Sequence, residues 1–337
     1  MTDTVLVTGI SGYVGLHCAS LLLQAGYTVR GTVRSSAKEQ EVRETMATVF
    51  GDTSNLEFVQ LDLTRDQGWD EALAGCSYAL HVASPFVIAN PKDEAEMITP
   101  AVDGTLRVLR AAKKAGVQRV VLTSTILAMM GSLKKGIFGP SDWTQVESAD
   151  ISTYTKSKTL AEQAAWDFIE NQNDPSPMEL VCIHPGGVFG PPLGNNVSGQ
   201  SMTMMRDMIA GKMPMVPNVA FPMVDVRDVA QLHLSAMTHP EAAGLRVIAS
   251  HAKGSHFAHF AKILNEHGYN KPSPRIAPSF LLRFAGLFDR EARGMRGLLE
   301  MNLDADNSMT RQLFGWTPRP LEQSLVETAA ALTHSKS

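Results

Sequence analysis

The chain has 337 residues, enough for two lobes around a shared cleft, and its 44% hydrophobic and 19% charged residues are typical of a globular protein. A formal net charge of −4, with acidic and basic residues mixed along the whole length, excludes the basic stripe of a nucleic-acid-binding protein and the cationic face of a membrane-surface protein. Three widely separated cysteines (Cys18, Cys76 and Cys182) predict reduced thiols in the cytoplasm and no disulfide framework.

The N-terminus leads from Met1 directly into an apolar segment without a basic region or a cleavage site, so we expect no signal peptide. No apolar run approaches the ~20 residues that a membrane span needs. We therefore expect a soluble protein.

Apolar, β-branched segments alternate with longer helical patterns over the first half of the chain. The predicted strands are Thr4–Thr8, Tyr27–Val33, Leu56–Leu61, Tyr78–Ala83, Arg119–Ser124 and Met178–His184. The predicted helices are Tyr13–Gln24, Ala37–Val49, Glu94–Gly116 and Thr153–Asn171. Strands that are apolar throughout suit a parallel sheet covered by helices on both faces. The predicted fold class is therefore α/β, a Rossmann-type doubly wound sheet whose ligands lie at the carboxyl ends of the strands.

Three glycines, Gly9, Gly12 and Gly15, follow the first strand at G-x-x-G-x-x-G spacing and open the first helix. Such a loop allows a tight turn, a close approach of backbone to a pyrophosphate and close packing of helix on strand. The helix N-terminus offers unpaired N–H groups to the phosphates. This segment, which includes Ser11, Tyr13 and Val14, predicts a dinucleotide site.

The second strand ends at Arg34, where an enzyme that uses NAD would place an acidic residue for the ribose 2′-hydroxyl. A guanidinium pairs with the oxygens of a 2′-phosphate, so Arg34 predicts NADPH. Lys38 is a second possible phosphate contact, and Ser35 and Ser36 offer hydroxyls. The alternative for both cations is a solvent-exposed position.

The third and fourth strands end in small or polar residues. Asp62 and Leu63 end the third, where Asp62 would accept from the adenine amino group or cap the following turn. Ala83 and Ser84 end the fourth, where small residues let the backbone lie against the cofactor or form a plain turn.

Tyr154 and Lys158 lie four residues apart near the start of a helix and therefore share one face. An ammonium beside a phenol favours the phenolate, so we expect a lowered tyrosine pKa and proton transfer by Tyr154. Lys158 would also hold the nicotinamide ribose. Before this helix, the fifth strand ends in Thr123, Ser124 and Thr125, one of which would donate to the substrate oxygen. We select Thr125, with Ser124 as the second choice and Thr123 as a turn residue.

After about Pro185, glycine, proline and methionine become frequent, and the strand signals Phe221–Val224 and Leu245–Ser250 become short. A helix pattern at Val226–Met237 separates them, and Leu321–Leu332 ends the chain as an amphipathic helix. We expect a dinucleotide-binding domain over residues 1–185, to which parts of 221–250 return. Residues 186–337 would be mainly a substrate-binding lobe. No zinc spacing occurs among the histidines, so no metal site is predicted.

These motifs, together with Leu160-Ala161-Glu162, His184–Pro191 and Val224–Ala230, resemble an extended short-chain dehydrogenase/reductase over nearly the whole chain. Within that superfamily the chain is similar to the branch of dihydroflavonol reductases, cinnamoyl-CoA reductases and yeast-type aldehyde or methylglyoxal reductases. The resemblance implies a catalytic triad of Thr125, Tyr154 and Lys158, with threonine where the branch usually has serine. It also implies that the backbone of Pro185–Val188 lines the nicotinamide carboxamide.

The sequence and the resemblance together predict an NADPH-dependent reductase of aldehydes or ketones, monomeric or homodimeric, with a small-molecule substrate. The predicted cofactor-binding residues are Gly9, Ser11, Gly12, Tyr13, Val14, Gly15, Arg34, Lys38, Asp62, Leu63, Ala83, Ser84, Thr123, Tyr154, Lys158, Pro185 and Val188. The alternatives are an NAD-dependent nucleotide-sugar epimerase or dehydratase and a non-catalytic regulator that senses a dinucleotide.

Overall fold

The protein is described by a computed structural model that covers residues 3–84, 91–194, 199–287, 294 and 296–334. The strands are β1 (Thr4–Thr8), β2 (Thr28–Val33), β3 (Leu56–Gln60), β4 (Cys76–His81), β5 (Arg119–Thr123), β6 (Lys135–Phe138), β7 (Glu179–Pro185), β8 (Gly187–Phe189), β9 (Ala220–Asp225), β10 (Arg246–Ala249), β11 (Gly254–His256) and β12 (Asn302–Ala305). The helices are α1 (Tyr13–Gln24), α2 (Ser36–Phe50), α3 (Trp69–Leu73), α4 (Ala95–Ala115), α5 (Leu127–Met130), α6 (Thr153–Glu170), α7 (Gln200–Ala210), α8 (Val226–Thr238), α9 (Phe257–Glu266), α10 (Ser279–Ala285), α11 (Ser308–Phe314) and α12 (Leu321–His334).

The larger sheet consists of parallel strands in the order β10-β7-β5-β4-β1-β2-β3. The chain runs outward from β1 through β2 to β3 and then crosses to β4 on the other side of β1. The carboxyl ends of β1 and β4 therefore flank a reversal of strand order, where doubly wound sheets bind their ligands. The prediction of a Rossmann-type doubly wound sheet is confirmed.

Both faces of this sheet are buried, as the continuous apolar strands require. Val5 and Val7 of β1 pack with residues of α1 and α8, whereas Leu6 between them packs with residues of α4 on the other face. Successive side chains of a strand point to opposite faces, so a strand that is covered on both sides must be apolar at every position.

A second sheet follows the order β11-β9-β12-β6, with β8 beside β9. Its core includes Phe138, Phe189 and Phe260, and the last two rings pack edge to face with centroids 5.3 Å apart. The chain then returns to the larger sheet: α8 packs on α1, and β10 pairs with β7. Residues 220–225 thus lie in the second sheet, and residues 226–249 rejoin the first.

Candidate active site

A cleft of about 570 Å³ lies at the carboxyl ends of the strands of the larger sheet. Fifteen of the predicted residues line it: Gly9, Ser11, Gly12, Tyr13, Val14, Gly15, Arg34, Asp62, Leu63, Ala83, Ser84, Thr123, Tyr154, Lys158 and Val188. Three predicted residues, Lys38, Thr125 and Pro185, are not among its lining residues. The glycine loop and the Tyr154–Lys158 pair, far apart in sequence, thus face one cleft.

The glycine loop approaches β4 so closely that side chains would collide. Gly9 has a φ of +64°, and a Cβ on it would lie 3.0 Å from Ala83. A Cβ on Gly15 would lie 2.4 Å from the carbonyl oxygen of Gly9, which leaves no room for alanine. No side chain caps the N-terminus of α1 at Gly12, so the first N–H groups of the helix can bind an anion in the cleft.

The cations near the end of β2 differ in what they contact. Arg34 is exposed at the cleft and has no ion-pair partner among the described residues. Lys38 lies on α2 and pairs with Glu41 at 2.6 Å, with both side chains exposed to solvent. The hydroxyl of Ser35 accepts from the Lys38 backbone N–H and caps α2. Arg34 is therefore the better placed of the two cations to meet a phosphate.

Asp62 lies at the cleft, where its Oδ1 accepts hydrogen bonds from the Thr64 N–H at 2.9 Å and the Thr64 hydroxyl at 2.7 Å. These bonds lower the pKa of Asp62. This is the turn-capping geometry that the sequence allows at this position. Asp62 holds the turn after β3 and so shapes the edge of the cleft.

The end of β4 is tied to β1 by side chains behind the cleft. The Thr8 hydroxyl accepts from the Ala83 N–H at 3.0 Å and bonds to His81 Nδ1 at 2.8 Å. Burial, assisted by the charge of Lys158, lowers the pKa of His81 to about 3, so this histidine is neutral. The contact positions Ala83 against the glycine loop.

Tyr154 and Lys158 are presented by the first turns of α6, whose N-terminus is capped by Ser152 through the Thr155 N–H at 3.1 Å. Lys158 Nζ donates to the carbonyl oxygen of Thr123 at 2.7 Å, which fixes the ammonium at the end of β5. Burial raises the pKa of Tyr154 to about 12 and lowers that of Lys158 to about 8. The expectation of a lowered tyrosine pKa is wrong for this structure, because desolvation of the phenol outweighs any effect of the ammonium.

The three hydroxyls at the end of β5 have different partners. Burial lowers the pKa of His233 to about 4, so its Nδ1–H donates to Val229 and its Nε2 accepts the Thr123 hydroxyl at 2.7 Å. The Ser124 hydroxyl donates to Glu162 at 2.5 Å. Both protons are therefore committed to buried acceptors.

Thr125 is the remaining hydroxyl. Its Oγ1 accepts a long hydrogen bond of 3.3 Å from the Leu127 N–H, and its own proton has no acceptor among the described residues. Thr125 is 9% exposed and is not among the residues that line the cleft, whereas Ser124 is one of them. The hydrogen bonds favour Thr125 over Ser124 as the donor to a substrate oxygen, whereas the lining of the cleft favours Ser124.

Residues from the second lobe complete the cleft. Val188 of β8 lines it, whereas Pro185 lies behind and accepts from the Ile126 N–H at 3.1 Å. Gln200, Ser201 and Met202 of α7 also line the cleft and were not among the predicted site residues. Glycine before α7 is the only local signal for them, since nothing in the sequence says which helix of the lobe faces the first domain.

Among the described residues, no helix combines the length and the apolar composition that crossing a bilayer requires.

Cinnamoyl-CoA reductase CAD2 of Medicago truncatula is 34% identical over 78% of this chain and 80% of its own length. NADPH-dependent methylglyoxal reductase GRE2 of Saccharomyces cerevisiae is 28% identical over 98% of both chains. The crystal structure of Gre2 from Candida albicans in complex with NADPH superposes with a TM-score of 0.81 at 27% identity, covering 99% of this chain and 100% of the other.

These relatives confirm the predicted branch, which contains cinnamoyl-CoA and methylglyoxal reductases. The model of the family described as NAD dependent epimerase/dehydratase matches residues 5–248, which include the glycine loop and the Tyr154–Lys158 pair. The chain belongs to the NAD dependent epimerase/dehydratase family.

Proposed function

We propose that this chain is an NADPH-dependent reductase of a carbonyl group, with Tyr154 as the proton donor and Lys158 as its partner. The observation that carries the proposal is that this pair, the glycine loop and Arg34 line one cleft. Reductases of this branch, among them the NADPH-dependent methylglyoxal reductase of yeast, support the same reaction class.

The cleft fits the proposed cofactor in its backbone and in its charge. The missing side chains of Gly9 and Gly15 leave space that any Cβ would fill, and the uncapped start of α1 suits a pyrophosphate. Arg34 lines the cleft at the position where a 2′-phosphate would lie, and it forms no ion pair with another described residue. NADPH supplies the hydride when it is bound.

The ionisation of Tyr154 suits reduction. With a pKa of about 12, its phenol carries its proton at neutral pH and can donate it to the oxygen of a carbonyl group. Thr125 donates a hydrogen bond to the same oxygen. Lys158, held by Thr123, keeps a positive charge beside the phenol and favours the phenolate that forms as the proton leaves.

We expect reduction to decline as the pH rises through about 8, the pKa to which burial lowers Lys158. A lysine is charged below its pKa, so activity is retained below pH 8 and falls about tenfold per pH unit above it. Tyr154 remains protonated throughout this range. The test is kcat/KM from pH 6 to 10 in the wild type and in Lys156→Met.

Lys156 lies on the same helix and pairs with Glu94 outside the cleft. Its replacement is expected to leave the alkaline limb unchanged. A flat wild-type profile up to pH 10 would mean that the charge of Lys158 is not needed.

We also propose the finer assignments that follow from this function. Residues 1–185, joined by 226–249, would bind the cofactor, and most of residues 186–337 would bind the substrate. The three described cysteines are buried and unpaired, which supports a reducing compartment such as the cytoplasm. The protein would act as a monomer or homodimer on a small molecule.

The family description also names epimerases and dehydratases, and two features of this chain disfavour them. Arg34 occupies the position where an NAD-binding epimerase would carry an acidic residue. Apolar residues, Ile126 to Ala128, follow the fifth strand in place of the acidic residues of a dehydratase. A regulator without activity would not need Tyr154 and Lys158 at the cleft.

A screen of NADPH oxidation with methylglyoxal and with aromatic and aliphatic aldehydes, ketones and ketoesters tests the proposed function. We expect turnover with at least one carbonyl class, faster with NADPH than with NADH. Tightly bound NAD in the purified protein, combined with no oxidation of NADPH by any carbonyl, would instead support the epimerase.

A further inference from the structure

A buried cluster of charged side chains lies directly behind the candidate catalytic residues. It consists of Glu162 on α6, His184 on β7 and Arg246 on β10, whose side chains are 1%, 0% and 9% exposed. The reaction as described above uses none of them. Burying a charged group costs several kcal/mol of desolvation free energy unless the group is paired, so a buried cluster of this kind is expected to have a role.

Glu162 is the centre of this cluster. One carboxylate oxygen accepts from Arg246 Nε at 2.7 Å, the other accepts from the Ser124 hydroxyl at 2.5 Å, and His184 Nε2 lies 2.8–2.9 Å from both. Arg246 also donates to the carbonyl oxygens of Pro140 and Asp142. One carboxylate therefore ties together the ends of β5 and β7, the start of β10 and the segment after β6.

The strand ends that Glu162 ties carry the active-site residues. Ser124 directly precedes Thr125, and His184 directly precedes Pro185, whose carbonyl accepts from the Ile126 N–H at 3.1 Å. The Ser124 hydroxyl donates to Glu162, which leaves Thr125 as the hydroxyl at the end of β5 whose proton has no acceptor among the described residues. A shift of the carboxylate would therefore move or redirect the hydroxyls beside Tyr154.

Glu162 also lies one helical turn after Lys158 and two turns after Tyr154, on the same face of α6. Two further titratable groups interact with the Lys158 ammonium. Cys182 of β7 influences the pKa of Lys158, and Lys158 influences the pKa of His81 of β4. Burial raises the pKa of Cys182 well above its usual value and lowers that of His81 to about 3, so both are neutral. Among the described groups that influence Lys158, Glu162 is thus the one that carries negative charge.

The ionisation of Glu162 is secured by its partners. Burial alone would raise its pKa, but the charges and hydrogen bonds of His184 and Arg246 outweigh burial and hold the pKa far below its usual range. The carboxylate is therefore charged over the whole range of pH in which a reductase works. The negative charge of Glu162 raises the pKa of Lys158 and so opposes burial, which lowers it.

We propose that Glu162 is a positioning residue of the reductase, which fixes Ser124 and His184 and with them the adjoining Thr125 and Pro185, and which places a negative charge one helical turn from Lys158. This inference rests on the proposed function. The Glu162 carboxylate then has two tasks. Its Oε2 holds the Ser124 hydroxyl in place, and its negative charge stabilises the charged form of Lys158.

Two substitutions separate the tasks. Glu162→Gln removes the charge and keeps the length, so the alkaline limb of kcat/KM is expected to move at least about one pH unit below the wild-type limb. Glu162→Asp keeps the charge but withdraws the carboxylate by about 1.5 Å. Its limb is expected at the wild-type pH, whereas kcat is expected to fall about tenfold because Thr125 is misplaced.

Glu179→Gln is the matched control. Glu179 also pairs with a buried arginine across the strands of the larger sheet, Arg119, at 2.6 Å, but it lies at the amino end of β7, away from the cleft. Its replacement is expected to leave unchanged the pH at which kcat/KM falls, kcat itself and the dissociation constant of NADPH. NADPH binding is measured for every variant by fluorescence, and folding by circular dichroism.

The proposal is overturned if kcat/KM of Glu162→Gln falls at the same alkaline pH as in the wild type. It is also overturned if Glu162→Asp has the kcat of the wild type. Should Glu162→Gln fail to fold, Ser124→Ala takes its place with Glu162→Asp. Both are then expected to lower kcat at unchanged NADPH affinity and with an unchanged pH dependence, Glu162→Asp about tenfold and Ser124→Ala several-fold, and wild-type kcat in either variant overturns the proposal. Each variant is compared with the wild type. If the wild type itself reduces no carbonyl compound, the proposed function is refuted. If the wild type is active but the Glu162 variants behave like it, only the role of Glu162 is refuted.

Discussion

Replacing Tyr154 by phenylalanine is expected to lower kcat for NADPH-dependent carbonyl reduction by about 10³-fold, because general acid catalysis by a positioned side chain contributes about 10²- to 10⁴-fold. The phenol is protonated at neutral pH and lines the same cleft as the glycine loop. Phenylalanine keeps the ring and its packing and removes only the hydroxyl group that carries the proton. The measurement is single-turnover oxidation of NADPH with the best substrate of the screen.

The dissociation constant of NADPH in Tyr154→Phe should stay within about twofold of the wild type, because the phosphates meet the glycine loop and Arg34 and not the phenol. Tyr78→Phe is the matched control, since Tyr78 lies towards the amino end of β4, at the opposite end of the sheet from the cleft. Wild-type turnover in Tyr154→Phe would remove the tyrosine from the reaction.

Replacing Arg34 by alanine is expected to weaken NADPH binding about 10- to 100-fold while leaving NADH binding nearly unchanged. A hydrogen bond to a charged group contributes about 1.5–3 kcal/mol, and each 1.4 kcal/mol is about tenfold in a dissociation constant. Only NADPH carries the 2′-phosphate that Arg34 would meet. Titration of each cofactor by protein fluorescence measures the two constants directly.

Arg43→Ala serves as the comparison for this change. Arg43 is a cation of the neighbouring helix α2 that pairs with Glu39 and lies over the ring of Phe58, outside the cleft. Its loss should alter neither constant. Equal losses for NADPH and NADH in Arg34→Ala would show that Arg34 stabilises the loop and does not read the phosphate.

The larger sheet was predictable because its central strands are mostly apolar and its helices carry clear boundaries. Thr4–Thr8 and Tyr13–Gln24 have the predicted bounds, since glycines mark the turn between them. The second sheet was not predictable in the same way. Its strand β6 was not among the predicted strands, because three of its four residues are exposed and give no alternating pattern.

The pairing of β6 with β12 joins segments more than 160 residues apart, and no local signal specifies such a contact. The same limit applies to the site. Spacing alone brings Tyr154 and Lys158 to one face, and the pairing of Lys38 with Glu41 three residues later is equally local, but the buried acceptors of Thr123 and Ser124 depend on the tertiary fold. Desolvation likewise sets the pKa of Tyr154, and the spacing of Tyr154 and Lys158 does not predict how deeply the phenol is buried.

The return of β10 to the edge of the larger sheet limits how this enzyme can be recombined with its relatives. A chimera that joins residues 1–185 to a foreign second half would have to obtain from the donor both a strand that matches β7 and an arginine that reaches Glu162. Without that guanidinium, the buried carboxylate of Glu162 would lose its arginine and keep only His184, Ser124 and Trp166 as partners, and loss of one partner of a buried ion pair typically costs about 3–5 kcal/mol. Exchange of substrate preference is therefore better attempted by grafting the segments 186–219 and 250–334 around a retained 220–249 than by a single crossover.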